Sequence, residues 1–215
     1  MAKTRTVGIY GGSFNPAHLG HRELAEEALR LLQLDEVWFM VSPQNPQKDK
    51  EGILPFDHRV HICRLTVKDM AHVQVSTFEQ HLPPGPSRTC NLLAALRLAY
   101  PHIRFVWMMG ADNWRHFHTW NGWQEIAANH PIAIFARVGD ATTAQTEAGH
   151  ILAAHQRMPD APWDGTPDWR WVEGNIREVS ATAIRTQLLQ GADEVDNVAD
   201  GVVAYLRTHG LLTRQ

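Results

Sequence analysis

The chain predicts an α/β fold: a Rossmann-like, mostly parallel sheet with helices on both faces and a small C-terminal helical extension. Short runs rich in β-branched and aromatic residues alternate with stretches of helical period along most of the 215 residues. The first run, Val7 to Tyr10, leads at once into a glycine-rich turn and then a helical stretch. The other chemistry-bearing clusters also fall where strand runs end, and ligands in open α/β sheets gather outside those ends.

Each element follows from its own pattern. Val7-Gly8-Ile9-Tyr10 reads as a buried first strand, and Glu23 to Leu32 as a helix with Leu24, Ala25, Ala28, Leu31 and Leu32 at helical spacing. Val37 to Val41 is the second strand and runs into the loop Ser42 to Lys48. A helix is predicted from Asp57 to Asp69, carrying Val60, Leu65 and Val67, and a short strand from Val73 to Val75. Pro83-Pro84-Gly85-Pro86-Ser87 is a loop. Thr89 to Leu98 is a helix with Leu92, Leu93 and Leu96, and Ile103 to Met109 is the clearest buried strand, ending at Gly110. Ile132 to Ala136 is another strand, and Trp169 to Val172 a late one. Between them Gly139 to Asp168 reads as an insertion, poor in apolar periodicity except around Ile151 to Ala154. From Ser180 the pattern is helical, with Ile184, Leu188 and Leu189, then Val202, Val203 and Leu206. Residues 1–178 are therefore expected to form the α/β domain, with 179–215 a helical extension packed on it.

Composition narrows the class. Hydrophobic content of 44% and charged content of 20% are ordinary for a globular chain able to bury a core. A net charge of −3 provides no global attraction to nucleic acid, and no basic stripe interleaves with aromatics. Cys63 and Cys90 form no CxxC and suit thiols in a reducing compartment, with one disulfide left open. No run approaches the ~20 apolar residues of a spanning helix, and the start MAKTRTVGIY has too short an apolar part for a signal peptide. A cytoplasmic protein with no membrane or nucleic-acid partner is expected. Its tryptophans suit a core or an interface equally and predict no oligomeric state.

Residues 11 to 21, GGSFNPAHLGH, carry most of the functional information. Glycines between a strand and a helix start let the backbone approach an anion, which free N–H groups and the helix dipole favour. His18 and His21 stand at i and i+3, on one side of a first helical turn. The stretch is neither a Walker loop, lacking GK[ST], nor a GxGxxG fingerprint. An HxxH pair also serves zinc, but no third and fourth ligand stands nearby at a familiar spacing. A second motif, Val179-Ser180-Ala181-Thr182-Ala183-Ile184-Arg185, places hydroxyls ahead of a helix and an arginine one turn inside. Its residues equally suit an ordinary N-cap and a solvated arginine.

The first stretch resembles GxFxPxHxGH, the signature of the HxGH nucleotidylyltransferase superfamily, and the second resembles its ISSTxIR motif with Val179 and Ala181 substituted. Three further segments narrow the resemblance to bacterial nicotinate mononucleotide adenylyltransferases, over nearly the whole chain. They are MMGADNWRHFHTWNGWQEI at 108–126, SRTCNLL at 87–93 and SPQNPQK at 42–48. In the second of these, Arg88, Asn91 and Leu92 replace the family's tyrosine, aspartate and threonine, while Thr89 is kept.

The resemblance implies adenylyl transfer from ATP to nicotinate mononucleotide, giving nicotinate adenine dinucleotide and pyrophosphate, with Mg²⁺ arriving on ATP and no protein metal ligand. It implies that His18 and His21 contact the phosphates, and that Gly11, Gly12, Ser13, Phe14, Gly110, Asp112, Ser180, Thr182 and Arg185 complete the ATP site. For the mononucleotide it implies Asn45 at the ribose, Lys48 at the phosphate, Thr89 at the pyridine carboxylate, Trp120 stacked on the ring, and Arg137. Trp120 and Lys48 have plainer readings as packing and solvation. Trp114 and Trp123 are assigned to packing. The alternatives are dual or nicotinamide mononucleotide preference, a phosphopantetheine adenylyltransferase, and a non-catalytic nucleotide sensor.

Overall fold

A computed structural model of the chain describes residues 4–43, 53–83, 88–137, 146–192 and 194–211. Among these, seven strands form one parallel sheet: β1 (Arg5–Gly12), β2 (Glu36–Val41), β3 (Val73–Ser76), β4 (Ile103–Gly110), β5 (Ile132–Arg137), β6 (Gln156–Arg157) and β7 (Trp169–Gly174). Across the sheet the order is β3-β2-β1-β4-β5-β7-β6. The chain runs outward from β1 through β2 to β3, then returns to place β4 on the other side of β1. That reversal opens a crevice at the C-terminal ends of β1 and β4, where Gly11 and Gly110 lie.

The helices are α1 (Leu19–Leu31), α2 (Phe56–Thr66), α3 (Arg88–Ala99), α4 (Ala111–His116), α5 (Trp123–Asn129), α6 (Glu147–Ile151), α7 (Ala181–Leu189) and α8 (Val202–Thr208). They cover both faces, which explains why VWFMV and IRFVWMM are apolar throughout instead of alternating. On β4, Phe105, Trp107 and Met109 enter one apolar cluster, and Val106 and Met108 the other. One cluster takes Leu24 and Ala28 of α1, Ile62 of α2, Leu188 of α7 and Leu206 of α8. The opposite cluster takes Leu93 and Leu96 of α3, Trp114 of α4 and Ile126 of α5. Each such aliphatic side chain contributes roughly 1.5–3 kcal/mol on burial.

The structure revises the start of the first helix and fills two stretches that the pattern left unassigned. The first helix begins at Leu19, not Glu23, because its opening turn serves the crevice and so lacks the apolar period that marks the rest. Residues 111–129 hold α4, a 3-10 turn at Phe117–Thr119 and α5, elements too short to produce a readable period. The described part of the 139–168 insertion holds α6, a 3-10 turn at Ala153–His155 and the edge strand β6. Cys63 and Cys90 form no disulfide.

A fully buried arginine anchors the rest of that insertion. Arg170 on β7 pairs with Asp168 at 3.0 Å, stacks on the Trp163 ring, and donates to the carbonyls of Pro159, Ala161 and Pro162. Trp163 Nε1 in turn donates to Leu32 O at 3.1 Å, occupying a carbonyl left open at the end of α1. Arg170→Ala strands a buried carboxylate and frees the loop. In urea titrations it is expected to lower unfolding free energy by about 3–5 kcal/mol, with Asp168→Asn costing less; unchanged stability in Arg170→Ala would contradict this anchor.

Candidate active site

The crevice is built from the end of β1 upward. A Cβ on Gly11 would overlap the Trp107 indole, so only glycine lets β1 and β4 approach at this point. Phe14 then adopts φ 48, a left-handed conformation that costs a non-glycine residue roughly 1–2 kcal/mol. Burial holds it there: its ring stacks on Phe39 at 5.0 Å and meets Tyr10 edge-on at 5.6 Å. The chain next enters α1 with His18 as N-cap.

His21 Nδ1 accepts the His18 backbone N–H at 3.1 Å, satisfying one of the donors that a helix start leaves open. An accepting Nδ1 fixes the neutral ring with its proton on Nε2, a donor on the far side. The two imidazoles stack at 3.6 Å, and the Phe14 ring meets His21 at 5.0 Å. His18 Nδ1 is buried without a hydrogen-bond partner among the described residues. Burial pushes the His18 imidazole down to about 4. Burial, followed by the charge His18 would carry, holds His21 well below its ordinary range. At neutral pH the pair is uncharged and available to donate hydrogen bonds.

The second motif meets the first at this place. Arg185 on α7 donates through Nη1 to Asn15 O at 2.7 Å, across 170 positions of sequence, and through Nη2 to Thr182 Oγ1 at 3.1 Å. Ser180 is the N-cap of α7, its Oγ accepting from the Ala183 N–H at 3.2 Å. Leu19 N–H donates to Asn197 O at 2.8 Å, and Arg177 ties Glu23 to Asn197. The N-termini of α1 and α7 therefore converge at the end of β1.

Two residues that the sequence pattern did not single out support this. Arg59 on α2 is 1% exposed and donates to Ser13 O at 2.6 Å, Ser42 O at 2.9 Å and Leu54 O at 3.0 Å. Asn15 Oδ1 accepts from the Leu54 N–H at 3.0 Å. The signal for Arg59 was its helical stripe: it shares spacing with Ile62, Cys63 and Thr66, all buried. Desolvation lowers its pKa, yet a guanidinium starts high enough to keep its charge.

At the neighbouring strand end, Gly110 caps α4, and a Cβ on it would collide with the Asp112 carboxylate. Asp112 adds to the burial that raises the Tyr10 phenol, so its carboxylate is within electrostatic reach of Tyr10, whose ring adjoins His21 at 5.8 Å. Thr89 stands half-buried in the first turn of α3, and Arg137 ends β5. Trp120 follows the 3-10 turn, half-buried and edge-on to Phe117 at 5.5 Å. Trp114 is fully buried between Phe117 and Trp169. Asn45 and Lys48 lie outside the described residues.

Residues 9–198 match the model of the cytidylyltransferase-like family. The chain is 41% identical over 184 residues to a protein of Agrobacterium fabrum named probable nicotinate-nucleotide adenylyltransferase, covering 83% of this chain and 97% of that one. A Brucella abortus protein of the same name is 38% identical over 199 residues, covering 87% and 97%. Among solved structures, a Plasmodium falciparum nicotinic acid mononucleotide adenylyltransferase complexed with NaAD shares the fold, with a TM-score of 0.72 at 17% identity and 97% of both chains covered.

The depressed imidazoles make stability pH-dependent in a definite direction. Unfolded histidines bind protons below about 6.5, whereas buried His18 and His130 do so only near 4. Their contribution is complete above pH 6.5 and is lost as pH falls through that window. Unfolding free energy measured in urea is expected to decline from pH 6.5 to 4, with the His18 resonance titrating near 4; a midpoint above 6 would contradict the buried neutral pair.

Proposed function

The chain belongs to the cytidylyltransferase-like family and, within it, to the nicotinate-nucleotide adenylyltransferases; from that premise we propose that it moves the adenylyl group of ATP onto nicotinate mononucleotide. The products are nicotinate adenine dinucleotide and pyrophosphate, a step of NAD biosynthesis. The observation that carries the residue assignment is the stacked neutral His18–His21 pair at the start of α1, joined by Arg185 to the start of α7.

The chemistry asks little of a base. The mononucleotide phosphate is already an anion and attacks the α-phosphorus, while pyrophosphate leaves on the opposite side. The protein has to hold two polyanions in line and spread the charge of the phosphoryl oxygens. His21 Nε2–H and the His18 ring donate to those oxygens, and the Gly11–Ser13 backbone and the α7 start add donors around the triphosphate. Neutral imidazoles suit this task, because they bind without trapping the product through a permanent charge. Phe14 supplies the apolar wall that keeps them neutral.

Gly110 and Asp112 lie on the adenosine side, and Thr89, Trp120 and Arg137 receive the mononucleotide, together with Asn45 and Lys48, which follow β2 in sequence. A divalent cation, Mg²⁺, comes with ATP and neutralises its phosphates while keeping most of its waters. The donor set of the crevice, dominated by N–H groups with the Asp112 carboxylate beside them, fits a metal carried by the substrate. Among the described residues no helix is long and apolar enough to cross a membrane.

Pyrophosphate release with ATP and Mg²⁺ tests the reading, comparing nicotinate mononucleotide, nicotinamide mononucleotide and phosphopantetheine. Release with nicotinate mononucleotide is expected to dominate, and His18→Ala to lower kcat by ~10²–10³ with the fold intact. Turnover within a few-fold of wild type in His18→Ala would overturn the residue assignment. ATP binding without release in the unmodified chain would identify a sensor.

A further inference from the structure

We propose that a second binding site, for a phosphomonoester between sugar phosphate and mononucleotide in size, lies at the opposite end of the sheet from the crevice. A cavity of about 610 Å³ opens there, between the C-terminal ends of α3 and α5 and the start of β4. Sites for small organic ligands typically occupy ~300–1,000 Å³, far more than a lone ion needs.

Two arginines, Arg97 and Arg104, line it beside His102 and the neutral His130, and no aspartate or glutamate lines it. Among the described residues neither arginine is in an ion pair with a carboxylate. Arg97 is instead held by a neutral partner. Its Nη1 donates to Asn129 Oδ1 at 3.0 Å, and Asn129 Nδ2 donates to the Glu125 carbonyl at 2.9 Å. That relay holds the Arg97 guanidinium at the wall through neutral groups, with no carboxylate partner among the described residues. His130 is 6% exposed, and Glu125 and Arg97 are the charged groups that act on it. Ile103 and Phe105 at the start of β4 add apolar surface for the organic part of a ligand.

The helix ends oppose an anion here, and magnitude decides. Each helix C-terminus presents about half a negative charge, and less for one as short as α5. Two such ends come to roughly −1 against two full guanidinium charges. Arginine forks also match phosphate oxygens in geometry. The net field therefore favours an anion, and the pairing of cations with a hydrophobic floor favours an organic phosphate over a bare one. β4 runs from this cavity to Gly110, so the two sites share a strand.

Histidine side-chain NMR on the full chain separates this site from the crevice, because His102 and His130 report one and His18 and His21 the other. Ribose 5-phosphate is the probe, with ribose and sulfate as controls. The expected result is a saturable shift of His102 and His130, weakened ~10-fold or more in Arg97→Ala/Arg104→Ala. The double variant is expected to keep the unligated His18 and His21 signals and the adenylyl-transfer rate, while the unligated His130 signal moves because Arg97 acts on it. Shifts confined to His18 and His21, an equal response to sulfate, or none up to saturating probe would overturn the proposal.

Discussion

A buried guanidinium sets the geometry of the crevice. Arg59 draws together three backbone carbonyls, Ser13 after β1, Ser42 after β2 and Leu54 before α2, that would otherwise point their negative ends at one another. Taking an arginine out of water costs several kcal/mol. Three charge-assisted hydrogen bonds, each roughly 1.5–3 kcal/mol, are sufficient to offset that cost. The consequences run along the chain. With Ser13 held, Phe14 turns into its left-handed conformation against Phe39, and Asn15 comes within reach of both Leu54 and Arg185. His18 can then cap α1. The histidine pair depends on a residue buried beneath the loop that presents it.

The histidine pair shows why such support matters. Two imidazoles at 3.6 Å cannot both be charged without strong repulsion, and the surrounding apolar rings disfavour even one charge. The free protein therefore presents hydrogen-bond donors instead of cations. The resting site stays neutral, and what it offers at the start of α1 is N–H groups.

How much of this was legible in the sequence depended on length and repetition. The buried strands β1, β2, β4 and β5 and the helix α3 were readable because each has enough residues to show its period. The elements between Ala111 and Asn129 were not: α4, the 3-10 turn and α5 run six, three and seven residues, and their stability comes from rings such as Trp114 and Phe117 packing together. GGSFNPAHLGH and Ser180–Arg185 were legible as motifs, but their contact was not, because the Arg185–Asn15 bond joins positions 170 apart. Arg59 was hidden for the opposite reason. A charged residue reads as solvent-facing, and only its shared stripe with Ile62, Cys63 and Thr66 argued otherwise.

The position of the C-terminal helices ties completion of the site to the end of the chain. Tyr205 on α8 is hydrogen-bonded to His58 Nδ1 at 2.8 Å and stacks on His61 at 4.1 Å. Those two histidines bracket Arg59 on α2, so the last described helix braces the element that fixes Ser13. Helix α7 acts on the same loop from the other side, through Arg185 and Asn15. The crevice therefore draws on segments far apart in sequence: β1 and the loop after it present the glycines and histidines, and α7 and α8 brace that loop through Arg185 and Tyr205. A chain lacking its last two helices would keep the glycines and histidines of the first motif. It would lose the contacts that make their arrangement a site.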